Sequence, residues 1–401
     1  MSLNLPRPAP DAPDQEWLPW RELWDIRPDT IYVNHGSFGP PPRPVVEAQL
    51  AWQRKLNSQP MDFFVRQLEP AWMAARQRLT QFVGVTPDDL AFVDNATAGM
   101  NVVANSFPLQ RGDEVLLNDH EYGAVRRIWE RACRQVEGAR LVTASLPPII
   151  ESPEHLIEAI FSPATSATKL LVVSHITSPT AITMPVKQIC AEARRRGIAV
   201  VVDGPHAPAQ VDLNIDALEC DYYVASLHKW LSAPFGSGFV YVAPQWQEQV
   251  VPPQLSWGRI PPTKIESWSH EFLWTGTRDP SPYLATTAAI DLIEQLGSEL
   301  FRKRTHHLAR YARQQLVEVV KGQSRTPDSD QWYGAMASVC LPQGDTGALQ
   351  RALWERHQIE IPVVEVAGIR SIRLSCHLYN TPGQIEHVVK AIAQELAREQ
   401  R

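Results

Sequence analysis

The sequence predicts an α/β fold: a mostly parallel, doubly wound sheet with a smaller C-terminal α+β domain. Two observations carry this. Lys169-Leu170-Leu171-Val172-Val173-Ser174-His175 and Ile198-Ala199-Val200-Val201-Val202-Asp203-Gly204 are near-continuous apolar runs ending in polar residues, the look of central strands covered on both faces. Around them strand-like and helix-like segments alternate, a rhythm that implies right-handed crossovers. In such open sheets ligands sit beyond the C-terminal strand ends. His175, Asp203 and Lys229 all fall at such ends.

The chain has 401 residues, 44% of them hydrophobic, enough for two units and a sizeable core. A net charge of -6 with no Lys/Arg-rich block argues against a nucleic-acid partner. Arg194-Arg195-Arg196 stands before Gly197, where cations complement a helix C-terminus. Five dispersed cysteines without a CxxC pair fit reduced thiols and a cytoplasmic setting. The stretch from Leu5 to Pro13 has no apolar core of a secretory signal. Its prolines suggest an extended arm over 1–20. No apolar run approaches a membrane span, and no metal-ligand spacing appears among the histidines and cysteines.

In chain order, a short strand at 31–33 feeds the loop Asn34-His35-Gly36-Ser37-Phe38-Gly39, where polar groups crowd a sharp turn. Helices are expected near 45–56 and 68–82, the second stopped by Gly84. The strand 90–93 leads into Asp94-Asn95-Ala96-Thr97, small and polar residues opening a helix to about 106. Such a turn frees backbone N–H groups for an anion, or Asn95 or Thr97 is a plain N-cap. A strand at 114–117, the turn Asp119-His120-Glu121-Tyr122-Gly123, a helix through Cys133 and a strand near 140–143 follow. Helices at 154–161 and 185–196 flank the first apolar run.

Tyr222-Tyr223-Val224-Ala225 reads as a buried strand with Ser226, His228 and Lys229 at its end, followed by a glycine-led strand at 236–243. A cationic amine there is costly unless neutralised or bonded. One solution is a Schiff base with an aldehyde cofactor; the other reading is a surface lysine. Residues 244–283, rich in Pro, Trp, Ser and Gly, read as a functional loop region with an apolar or aromatic pocket wall. Helices at 284–296, 299–321, 347–357 and 384–399 with strands at 335–341, 359–364 and 369–375 form the second unit. The expected division is an arm at 1–20, a large cofactor-binding domain at 21–283, with 21–55 able to pack on the other unit, and a small domain at 284–401.

The order of these motifs resembles the class V aminotransferases, pyridoxal-phosphate enzymes of fold type I. The motifs are the small-residue turn at Ala96-Thr97, Asp203-Gly204-x-His206, Ser226-x-His228-Lys229, Gly276-Thr277 and Arg373-x-Ser375-x-x-x-Tyr379-Asn380. The likeness covers roughly residues 30–398. The Asn34–Gly39 loop, Ser174-His175-Ile176-Thr177-Ser178-Pro179-Thr180 and Ile359-Glu360-Ile361-Pro362-Val363 are similar to the isopenicillin N epimerase-like branch.

The resemblance implies pyridoxal 5'-phosphate as cofactor and a role for each matched residue. Lys229 would form the Schiff base and move protons at the substrate Cα, and Asp203 would pair with the pyridine nitrogen. His206 would bond the phenolic oxygen. Ala96 and Thr97, with Ser226 and His228, would hold the phosphate, joined by Gly276 and Thr277 from the second subunit of a homodimer. Arg373 would grip the α-carboxylate of an amino-acid-type substrate through its planar fork. His120, preferred, or Tyr122 would stack on the ring, with Tyr122 or His35 as the acid–base group of the other face. Asn34, His35, Ser37 and Ser178 would line the substrate side.

The expected activity is chemistry at the Cα of an amino acid or a derivative, epimerase-like. The alternatives are β-elimination by a C–S lyase, or transamination. Cysteine desulfurases carry a nucleophilic cysteine near the place of Gln358, where this chain has none, and Ser178 replaces their strand-end asparagine. Desulfuration is therefore not expected.

Overall fold

The computed structural model describes residue 3 and residues 5–399. The expected arm at 1–20 and small domain at 284–401 thus extend in part outside the described residues.

Seven strands build the main sheet: β2 (Leu90–Val93), β3 (Glu114–Asn118), β4 (Arg140–Ala144), β5 (Thr168–Ser174), β6 (Ala199–Asp203), β7 (Tyr222–Ser226) and β8 (Gly238–Val242). Their spatial order is β2-β8-β7-β6-β5-β3-β4. The pairs from β4 across to β7 are parallel; β8 runs antiparallel to both β7 and β2. After β4 the chain crosses back to place β5 on the other side of β3, so the switch point lies between β3 and β5. That is where an open sheet leaves a crevice at its strand ends.

The apolar runs work by alternation, because successive strand residues face opposite sides. Leu171, Val173, Val200, Val202, Tyr223 and Ala225 join one buried cluster. Leu170, Val172, Val201, Tyr222 and Val224 join the other. Helices Leu68–Val83 and Val186–Arg195 contribute Leu79, Val83, Ile189 and Ala193 to the first face. Helices Ala96–Ser106 and Gly123–Arg134 contribute Met100, Val103, Val125 and Trp129 to the second.

A second, three-stranded antiparallel sheet has the order β11-β12-β9, with β9 at Met336–Cys340, β11 at Val363–Val366 and β12 at Ile369–Ser375. The helix Ser298–Val320 and the C-terminal helix Pro382–Glu399 bury Leu308, Leu316, Ile385 and Ile392 in the same core as Val339 and Ile372. The single strand expected at 359–364 is split into β10 (Ile359–Glu360) and β11, because Pro362 has no N–H to carry a ladder through. β10 pairs in parallel with β1 (Ile31–Tyr32), and Ser375 N–H donates to Val33 O at 2.8 Å. The N-terminal segment is therefore stitched to the C-terminal sheet before the chain enters the large one.

Residues 5–21 do not stand free of the fold. Short helical turns at Asp14–Trp17 and Leu18–Arg21 bury Trp17 and Trp20, whose indole N–H groups donate to Ala9 O (3.2 Å) and Pro6 O (2.6 Å). The aromatic 244–283 region is likewise ordered, with turns at Pro244–Gln249 and Trp268–Phe272 and a bridge between Gly258 and Trp274.

Candidate active site

A cavity of about 310 Å³ opens at the switch point. Its floor is the ends of β5, β6 and β7, which present Ser174, Asp203 and Ser226. The turn after β7 adds His228 and Lys229, and the helix Gly123–Arg134 covers one side through Val125, Ile128 and its N-cap Tyr122. A larger groove of about 890 Å³, against Cys190, Arg194 and Asp221, lies at the opposite strand ends. The convergent polar groups are in the smaller one, which decides between them.

Lys229 sits in a tight turn, not on the strand; Leu227 N–H bonds Ser237 O and Ser232, at φ 55, returns its N–H to Lys229 O. The amine lies 3.1 Å from His206 Nε2. Burial, then the Arg373 guanidinium, pushes its pKa down while Asp203 opposes them. Burial pushes the Asp203 carboxyl up against the pull of Lys229. No side-chain hydrogen bond among the described residues satisfies that carboxylate. Tyr223 lies beneath it: a Cβ on Gly204 would come within 2.1 Å of the Tyr223 hydroxyl, so only glycine fits after Asp203.

The helix Ala96–Ser106 points its N-terminus at the cavity. Asn95 Oδ1 caps it by accepting from Ala98 N–H, and Ser226 Oγ accepts from Ala96 N–H at 2.9 Å. The Thr97 amide, in the first turn, takes no partner among the described residues, and His228 Nδ1 is buried without one. Burial, and then Lys229, pushes the His228 imidazole down to about 4. Free donors at a helix N-terminus of eleven residues make an anion cradle.

Arg373, on β12, approaches from the other side. Its guanidinium donates to Ser178 O, to Ser37 Oγ at 2.9 Å and to Asn34 Oδ1 at 3.1 Å, while Nε stays unpartnered. Burial lowers its pKa to about 10, so it remains a cation at neutral pH. All its partners are neutral. Ser37 and Ser178 line the cavity; Asn34 stands behind them and also donates to Glu360 Oε1 at 3.2 Å.

Three expectations meet a different placement. His35 does not reach the substrate side: it is fully buried and holds the Lys229 backbone, Nε2 2.9 Å from its carbonyl. The close approach of its loop explains Gly39, where a Cβ would meet Lys229 O at 2.6 Å. His120 is also fully buried, its Nδ1 3.0 Å from the Thr180 hydroxyl, and burial with Arg325 nearby holds its pKa down. Tyr122, 51% exposed, is the member of that turn on the cavity wall. The tryptophans of 244–283 do not line this cavity, and neither do Gly276 and Thr277, whose expected place is the cavity of the second subunit. Trp268 bonds Asp88 O, Trp246 bonds Asp221, and Trp274 packs on Phe64.

Glu121 was not singled out by its sequence context. Its Oε1 accepts from Ser174 N–H (3.0 Å) and Asn118 Nδ2 (2.5 Å), and its Oε2 from Ser174 Oγ (2.5 Å). Burial, with Asp203 nearby, pushes its carboxyl up to about 7 despite these bonds.

A buried lysine, a carboxylate at the neighbouring strand end and an anion cradle on a doubly wound sheet define a pyridoxal-phosphate-dependent enzyme of fold type I. The chain belongs to the class-V aminotransferase family, whose pattern matches residues 38–388. It is 38% identical over 392 residues to isopenicillin N epimerase of Amycolatopsis lactamdurans, covering 94% of this chain and 98% of that protein. A putative L-cysteine desulfhydrase of rice is 29% identical, over 82% of this chain and 72% of its own. A solved C-DES mutant with glycine covalently linked to its pyridoxal-phosphate cofactor superposes with a TM-score of 0.81 at 22% identity, covering 95% and 99%.

The residues present fit that cofactor: a free carboxylate, unpartnered donors at the helix N-terminus and an amine held toward neutrality. Among the described residues no helix is long and apolar enough to cross a membrane.

Proposed function

We propose that the protein epimerises an amino-acid-derived substrate of the isopenicillin N type, withdrawing the Cα proton on one face and returning a proton on the other. The observation that carries this is a pair of proton-moving groups on one cavity from different elements: Lys229 from the turn after β7, and Tyr122 from the helix opposite. Pyridoxal phosphate, once bound, supplies the electron sink for charge developing at Cα.

The chain's own groups divide the remaining work. Asp203 keeps the ring nitrogen protonated, and His206 bonds the phenolic oxygen. Ala96, Thr97, Ser226 and His228 bind the phosphate. Arg373 receives the α-carboxylate through its fork, with Ser37, Ser178 and Asn34 fixing that fork in plane. Lys229, with burial favouring its neutral form, takes the Cα proton; Tyr122 serves the other face and stacks on the ring. Solvent deuterium tests this. The holoenzyme should exchange Cα hydrogen of an accepted amino acid in D2O and invert its configuration, and failure to exchange with any substrate that perturbs the visible band sinks the reading.

β-Elimination on a cysteine conjugate is the second reading, favoured by the similarity to a desulfhydrase; Lys229 and Arg373 would serve it unchanged. Pyruvate release from S-substituted cysteines separates the two. Desulfuration is disfavoured because none of the five cysteines lines the cavity and burial pushes the Cys376 thiol up to about 12.

The working form is a cytoplasmic homodimer. Phe38, Leu255 and Trp257 are large apolar side chains left exposed, the kind of surface a contact between copies would cover. A second copy would bring Gly276 and Thr277 to the phosphate.

A further inference from the structure

We infer that Trp230 is a positioning residue: its indole N–H fixes His206 as the Nε2–H tautomer, so the imidazole turns a proton, not a lone pair, toward Lys229 and the cofactor's phenolic oxygen. The inference rests, for its second half, on the reading that His206 faces that oxygen.

The geometry is a bracket made by two consecutive residues. Lys229 Nζ lies 3.1 Å from His206 Nε2, and the Trp230 indole nitrogen lies 3.3 Å from His206 Nδ1. An indole N–H can only donate, so Nδ1 must carry the lone pair. Trp230 is 1% exposed, and no other acceptor for its N–H is recorded among the described residues. Leaving that buried N–H unpaired would carry the full desolvation penalty of the group. The ring His206 is itself fully buried, and burial followed by Lys229, Arg373, His228 and His35 opposes a second proton on it. A neutral ring with Nδ1 committed as acceptor holds its one proton on Nε2.

The indole has little freedom to let go. It follows Lys229 in the turn closed by Ser232 N–H on Lys229 O at 2.9 Å. Its ring packs against His35 at 5.1 Å and His377 at 6.2 Å between centroids. On the far side, the consequence reaches the lysine. An ammonium at Nζ would face an N–H at 3.1 Å, whereas a neutral amine accepts from it. The tautomer therefore works with burial to keep Lys229 a nucleophile, and after cofactor loading it presents a donor to the phenolic oxygen.

Trp230→Phe keeps the aromatic packing and removes the N–H. The first measurement uses the cofactor-free protein labelled with 15N-histidine, with His206→Ala locating the resonances. The wild type should show an unprotonated Nδ1 and a protonated Nε2 for His206. In Trp230→Phe both nitrogens should move toward an averaged value. A protonated Nδ1 in the wild type overturns the inference, even if the variant does not fold; so does an unchanged spectrum in a folded variant. The second measurement is the pH midpoint of the bound cofactor's visible band. Trp230→Phe should raise it by about one pH unit, a tenfold change in the protonation equilibrium, and the shift should vanish in the His206→Ala background. If the 15N result holds and the band does not move, the tautomer assignment is supported and the placement of His206 at the phenolic oxygen is overturned.

Discussion

His35 donates from Nε2 to the backbone carbonyl of Lys229 at 2.9 Å, across 194 residues of sequence. A carbonyl only accepts, so Nε2 carries the proton and Nδ1 must accept, here from the Tyr379 hydroxyl at 2.9 Å. Tyr379 follows β12 in the C-terminal unit, and His35 follows β1. Two segments outside the main sheet thus hold the main chain of the lysine that stands on it. Stacking of His35 on His377, 3.9 Å between centroids, completes the clamp.

Removing the phenolic hydroxyl tests that clamp. Tyr379→Phe strands His35 Nδ1 in a buried site, and the apoprotein should lose about 1–2 kcal/mol by urea titration. Cofactor affinity should fall several-fold because the turn carrying Lys229 loosens. Unchanged stability and affinity would show that the Tyr379 bond holds nothing in place.

Glu121 sets a pH dependence of stability. Its folded pKa of about 7 lies above the ordinary 4.5. Between those values the folded chain binds more protons than the unfolded one. Stability is therefore fully present below about pH 4.5 and falls as pH rises toward 7, by about 3 kcal/mol at 1.36 kcal/mol per unit. Glu121→Gln removes the titration and fits the site: its amide oxygen keeps Asn118 and Ser174 N–H, and its NH2 donates to a reversed Ser174 hydroxyl. The urea midpoint of the wild-type apoprotein should fall between pH 5 and pH 8 by more than that of the variant, whose profile is the flatter. Parallel pH profiles would falsify this assignment.

What was legible in the chain followed its local physics. The apolar runs ending at Ser174 and Asp203 announced buried parallel strands, and Lys229 stood out because an amine beside such a strand needs a reason. Glu121 was hidden because it is one of four polar residues in a single turn. Only the placement of β5 beside β3 shows that it, and not Asp119, meets Ser174. His35 misled for a related cause: a polar residue in a Gly-rich loop looks free until Tyr379 and Lys229 O close around it. The tryptophans of 244–283 suggested a pocket wall, yet three of the four are spent on bonds and packing within their own unit.

Arg373 offers a cation without a carboxylate partner, bonded by Asn34, Ser37 and Ser178. Arg373→Lys keeps the charge and loses the fork. kcat/KM should drop about 10²–10³-fold, mainly as a raised KM, because the lost contact is made in both ground and transition states. Cofactor binding should be unchanged, read from the visible band of the unliganded holoenzyme. A normal KM would remove Arg373 from substrate binding.

Leu255 at 79% and Trp257 at 60% exposed are large apolar side chains left in water, and they sit in the same 244–283 region as Gly276 and Thr277. The Gly276–Thr277 loop does not line its own cavity, and Arg278 beside it bonds Asp94 Oδ1 at 2.9 Å. Burying the two side chains against a second copy would carry that loop to the other cavity. Leu255→Glu with Trp257→Glu should place like charges at the contact and give monomers by sedimentation equilibrium. Because each phosphate cradle would then lack its donors from the second copy, cofactor affinity should fall at least about tenfold, the effect of losing one charge-assisted hydrogen bond of roughly 1.5–3 kcal/mol. A wild-type monomer that binds pyridoxal phosphate tightly would dismiss both the dimer and the shared site.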